Sequence, residues 1–126
     1  MTRIALFLAL ILQSAFAQAD PLPAAARTEI TALLGVLANS DCEFYRNGSW
    51  YAGPKAASHL QRKLDYLERK ELVTSASSFI ALGASKSSMS GETYQVRCPG
   101  QAAVPSADWL NLRLQQLRAV EGGKNP

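Results

Sequence analysis

Residues 42–51 read Cys42-Glu43-Phe44-Tyr45-Arg46-Asn47-Gly48-Ser49-Trp50-Tyr51, and the pair at the centre decides how the chain is built. Asn47-Gly48 is what a two-residue type I′ hairpin turn demands, because both central residues adopt positive φ there. Aromatic residues flank the pair on both sides, so two short antiparallel strands are expected to meet at it. Asn47-Gly48-Ser49 also spells a glycosylation acceptor, but the turn accounts for the same residues.

Upstream, the chain opens with one cation, Arg3, and an apolar run from Ile4 to Leu12. Small residues then give two overlapping cleavage signals, Ala15-Phe16-Ala17 and Ala17-Gln18-Ala19. This is the pattern of a secretory leader, read as residues 1–19 with cleavage after Ala17 or Ala19. Ile4 to Ala17 is shorter than the ~20 residues of a membrane span. Residues 20–121 are expected to form one small domain, and residues 122–126 a disordered tail. Of 13 basic residues Arg3 leaves with the leader, so 12 face 10 acidic ones, a formal +2. That is far from the clustered basic surface of a nucleic-acid binder, and no nucleic-acid partner is expected.

Two cysteines remain, Cys42 and Cys98. In an oxidising compartment, with one possible partner each, they are expected to form a disulfide. Cys98 closes a second alternating segment, Thr93-Tyr94-Gln95-Val96-Arg97-Cys98, with Tyr94, Val96 and Cys98 on one face. The bridge requires Cα atoms within about 7 Å, which places this strand in one sheet with the hairpin. One histidine and two distant thiols are a poor ligand set, so no metal or cofactor is expected.

Helical spacing fills the rest. After the stiff Asp20-Pro21-Leu22-Pro23 lead-in, Ile30, Leu33, Leu34 and Leu37 form one apolar stripe. Gly53-Pro54 opens a second helix, carrying Ala57, Leu60, Leu64 and Leu67 inward and ending near Glu71. Thr74 is expected to cap a third helix that turns Phe79 and Ile80 inward, with Leu82 a further candidate. Pro99–Pro105 reads as a loop. Ser106 is the expected cap of a last helix, with Asp108 in its first turn and Trp109, Leu110, Leu114 and Leu117 on its inner face. The charges from Lys63 to Glu71 alternate in sign, as on a solvated helix face, with Asp65 expected to pair with Arg69. The fold class is α+β: about four short helices on a small antiparallel sheet of about three strands, tied by one disulfide.

Phe44, Arg46-Asn47-Gly48, Ser58-His59-Leu60 with Lys63-Leu64, Phe79-Ile80, and Ser87-Ser88 through Ser90-Gly91 to Tyr94 resemble the YfeK-like proteins. The likeness runs from about Glu29 to Cys98, and more loosely over the Trp109 helix. It implies a small secreted bacterial protein of the periplasm with no assigned activity, and it supplies no catalytic residue. At Thr74-Ser75-Ala76-Ser77 the chain departs from the acidic residue that would complete a capping box.

Candidate chemistry is sparse. His59 is the only imidazole, no Gly-x-Ser-x-Gly occurs, and no Ser-x-x-Lys pair lies around Lys63 or Lys86. A small hydrolase would have to pair His59 with a serine of residues 85–91. His59, Lys63 and Tyr66 share one helix face. With Arg46 from the hairpin they give a polar patch suited to an anion. Ser87, Ser88, Ser90 and Gly91 either turn the chain or offer it backbone N–H groups in an anion-binding nest. Aromatic residues beside Arg46 leave open a contact surface, as in a secreted inhibitor of another hydrolase. The expected function is non-catalytic: a monomeric periplasmic or secreted binding or accessory module of the cell envelope. Its partner is an unknown protein or a small anionic ligand, met through Arg46, His59, Lys63, Ser87, Ser88, Ser90 and Gly91.

Overall fold

A computed structural model describes residues 22–123; the leader at 1–19 and the tail beyond Gly123 lie outside them. The elements run α1 (Ala24–Ala38), β1 (Glu43–Arg46), β2 (Ser49–Ala52), α2 (Gly53–Arg69), α3 (Ala76–Gly83), β3 (Gln95–Arg97), β4 (Val104–Pro105) and α4 (Ser106–Gly122). The four strands form one antiparallel sheet in the order β2-β1-β3-β4.

The hairpin is the one its sequence predicts. Arg46 pairs with Ser49, and the two residues between them have φ of +48° and +88°, the signs a type I′ turn requires. On the other side of β1, Glu43 pairs with Arg97, Phe44 with Val96 and Tyr45 with Gln95. One step beyond Glu43–Arg97, Cys42 and Cys98 are bonded, with Cα atoms 4.0 Å apart. The bridge therefore extends the β1–β3 ladder covalently.

The fourth strand lies within the segment read as a loop. Val104 pairs with Val96 and Pro105 with Gln95. Pro105 has no N–H to donate, which confines it to a sheet edge, and β4 is an edge. Ser106 does not cap α4: Pro105 holds that position, and Ser106 sits inside the helix, fully buried. Its backbone N–H is drawn instead to the Tyr94 carbonyl, 2.8 Å away. At α3 the cap is Ser75 rather than Thr74. The Ser75 hydroxyl accepts from the Ser78 N–H and the Ser78 hydroxyl accepts from the Ser75 N–H, 3.0 Å each. A serine thus closes the capping box where an acidic residue was expected. α4 continues through Gly122, into the residues read as tail.

The four helices and the inner face of the sheet close on one core. Ile30, Leu33, Leu34 and Leu37 come from α1; Leu60, Leu64 and Leu67 from α2; Phe79 and Ile80 from α3; Trp109, Leu110 and Leu114 from α4; and Phe44, Tyr94 and Val96 from the sheet segments. Two expected inward residues differ. Ala56 rather than Ala57 is buried, and Leu82 is 52% exposed on the far side of the short α3. Asp65 accepts from Gln61 instead of pairing with Arg69, while Glu68 bonds Arg27 of α1 at 2.6 Å. Among the described residues no helix is long and apolar enough to cross a membrane.

Candidate functional site

The sheet register builds the site. Phe44 and Arg46 share a face of β1, and Tyr94 and Val96 share the matching face beside it, because strand side chains alternate. Phe44–Val96 is the buried half of this face. One register step past Tyr45–Gln95 brings Arg46 across from Tyr94, where the core gives way to a cleft. α2 lies over the same end with His59, Arg62, Lys63 and Tyr66, spaced to project on one side of a helix.

The cleft has a volume of about 460 Å³. β1 and its turn contribute Arg46 and Asn47, and α2 contributes His59, Arg62, Lys63 and Tyr66. Ser87, Ser88 and Met89 form the facing loop, and Tyr94 lies between them. A second cavity of about 20 Å³ lies beside Arg46, His59 and Arg62, walled by Phe44, Tyr51, Lys55 and Ala56.

Inside the cleft the polar groups are interlocked. Arg46 Nη1 lies 2.6 Å from His59 Nδ1, and His59 Nε2 lies 3.2 Å from the Tyr94 hydroxyl. A guanidinium can only donate, so the neutral ring accepts from Arg46, whose Nη1 lies 2.6 Å from Nδ1 and 3.2 Å from Nε2, and Nε2 and the Tyr94 hydroxyl are hydrogen-bond partners. Lys63 Nζ donates to the same phenol at 3.2 Å and to the Lys86 carbonyl at 3.1 Å. Its ammonium also lies 4.9 Å from the centre of the Tyr94 ring. The phenol oxygen thus accepts from Lys63 and is bonded to His59 Nε2, while the Tyr94 side chain as a whole is buried.

Electrostatics follow from this crowding. Burial and then the charges of Arg46, Lys63 and Arg62 push the His59 imidazole down from 6.5 to about 4. Burial, followed by Arg46, lowers Lys63, and burial raises Tyr94 against the pull of Arg46. Three cations and a neutral imidazole thus face one cleft, and among the described residues no carboxylate lines it.

The loop that faces α2 is a small reversal of the chain. Lys86 bridges Thr93, the Ser87 N–H donates to the Glu92 carbonyl, and the Gly91 N–H donates to the Ser87 carbonyl. The Ser87 hydroxyl, 3% exposed, accepts from the N–H groups of Met89 and Ser90. Ser90 donates to Asn47 Oδ1 at 2.6 Å, tying this loop to the hairpin turn, and Gly91 supplies φ of +74°. Ser87 and Ser88 line the cleft, whereas Ser90 and Gly91 shape the turn behind it. Among the described residues, no hydrogen bond joins His59 to a serine. Among those residues, then, His59 is bonded to Arg46 and Tyr94 and not paired with a serine hydroxyl as a nucleophile's base would be.

Sequence spacing brought out Arg46, His59, Lys63 and Tyr66. It missed Arg62, although its position three residues after His59 is a same-face signal. It also missed the role of Tyr94, whose ring is core and whose hydroxyl is site. Tyr45 and Trp50 pack at a tilt on the opposite face of the hairpin, ring centres 5.3 Å apart, with Arg97 3.9 Å above Trp50. The hairpin tip itself is Asn47-Gly48 and carries no aromatic ring. Among the described residues no three His, Cys, Asp or Glu side chains gather as a metal ligand set.

No curated protein and no solved structure matches the chain. A family profile does, across residues 24–118, from the start of α1 into the last turns of α4. The chain belongs to the family of unknown function DUF5329.

Proposed function

We propose that the protein is a non-catalytic binding module of the cell envelope that holds a small anionic ligand in the cleft between α2 and the Ser87–Met89 loop. The observation that carries this reading is the convergence of Arg46, Arg62 and Lys63 on a space that, among the described residues, no carboxylate lines. Arg46 and Lys63 are half-buried, and half-buried cations without a counter-ion are costly unless an anion completes them, while Arg62 stands exposed at the rim. The neutral His59 supports the same role: it accepts from Arg46 and so orients the guanidinium without adding a charge of its own. A periplasmic or secreted setting agrees with the leader-like N-terminus, the Cys42–Cys98 bridge and the resemblance to the YfeK-like proteins.

Calorimetric titration of the purified protein with inorganic phosphate at low ionic strength tests the reading. Arg46→Gln and Lys63→Met are each expected to weaken binding by about tenfold, and added salt should weaken it further. Phosphate binding equally to the wild type and to the double variant would remove this cleft as the site.

A further inference from the structure

We infer that the ligand has two parts: a doubly charged head of the phosphomonoester class, and an apolar organic body lying against Met89 and Tyr66. This rests on the anion-binding reading of the same cleft and specifies its ligand.

The head follows from charge and donor count. With His59 neutral, a single negative charge leaves two of the three cations uncompensated, whereas a dianion leaves one. A phosphomonoester carries close to two charges at neutral pH and three acceptor oxygens. The cleft offers matching donors: the guanidinium groups of Arg46 and Arg62, which suit phosphate geometry, and the Lys63 ammonium.

The body follows from size and from the rim. About 460 Å³ is far more than a lone phosphate fills and falls in the range of organic-ligand sites, roughly 300–1,000 Å³. Two large side chains with exposed apolar surface line this space, the Tyr66 ring with the Lys70 ammonium 6.0 Å from its centre. Met89 is 96% exposed and Tyr66 is 51% exposed. They stand on opposite walls, one on the loop and one on the helix. A thioether on a flexible stem adapts to an apolar partner, and an aromatic ring opposite supplies a flat one. The apolar body would cover both while the head reaches the cations.

Three probes separate the parts: phenyl phosphate, inorganic phosphate and benzoate, titrated into the full domain at pH ~7.5, where a phosphomonoester is doubly ionised. Phenyl phosphate is expected to bind at least about tenfold tighter than either of the others. Met89→Ser should cut the phenyl phosphate affinity by about threefold or more and leave inorganic phosphate unchanged. Met89 is surface-exposed, so the variant folds. Benzoate binding as tightly as phenyl phosphate overturns the doubly charged head. Inorganic phosphate binding as tightly, or a Met89→Ser variant that behaves like the wild type, overturns the apolar body. If none of the three binds, the anion-binding reading itself falls, an outcome distinct from the other two.

Discussion

Protonating His59 works against the fold, because the ring would gain a charge beside Arg46, Lys63 and Arg62. The unfolded chain takes up that proton near 6.5 and the folded one only near about 4. The contribution is therefore fully present above about 6.5 and is lost as pH falls toward about 4. After allowance for solvent screening of a half-buried ring, the loss is on the order of 1–2 kcal/mol. Urea midpoints at neutral pH and near pH ~4.5 check this: His59→Asn should lose less stability on acidification than the wild type. A variant that acidifies identically would contradict the placement of the ring. At this scale the sequence was partly readable. His59 and Lys63 follow from helical spacing, and Arg46 from its place beside the turn. Tyr94 did not, because alternation tells which face a residue takes and not that its hydroxyl protrudes from the core into a cleft.

Elements meet at two backbone positions that composition alone undersells. Gly53 opens α2 directly against the end of α1. A Cβ there would press on the Leu37 carbonyl and lie 3.2 Å from those of Ala38 and Ser40. Gly53→Ala is expected to cost about 1–3 kcal/mol by chemical denaturation, since backbone on both sides cannot move aside cheaply. α2 ends with Glu71 at φ +57°, its N–H bonded to the Glu68 carbonyl and the Leu72 N–H bonded to the Leu67 carbonyl. This is a Schellman ending with glutamate where glycine is preferred. Glu71→Gly should raise stability by about 1 kcal/mol, read as a shift in melting temperature. Helix spans were legible because apolar stripes recur at 3.6 residues. The caps were not: Thr74 and Ser75 are chemically interchangeable there, and Ser106 was displaced by the pull of the Tyr94 carbonyl. β4 was hidden because two residues carry no alternation to read.

Across the molecule, the Cys42–Cys98 bond closes a loop spanning 56 positions and locks the β1–β3 register. Replacing both cysteines with alanine should lower stability by roughly 3–4 kcal/mol. It should also weaken phosphate binding, since Arg46 and Tyr94 meet through that register. Phosphate affinity unchanged in the folded double variant would show that the site does not depend on the bridge. A broader consequence lies in the phase of α2. His59, Lys63 and Tyr66 each directly precede a buried leucine: Leu60, Leu64 and Leu67. Advancing the helix by a single residue would turn leucines toward the solvent-filled side and drive cations into the interior, since neighbouring residues on a helix lie about 100° apart. The length of chain between Gly53 and His59 therefore cannot change by one. That wall of the cleft is fixed in rotation by its own packing, and any change of the cleft's shape falls to the opposite wall, where Ser88 and Met89 face solvent and can be exchanged without disturbing a single packed side chain.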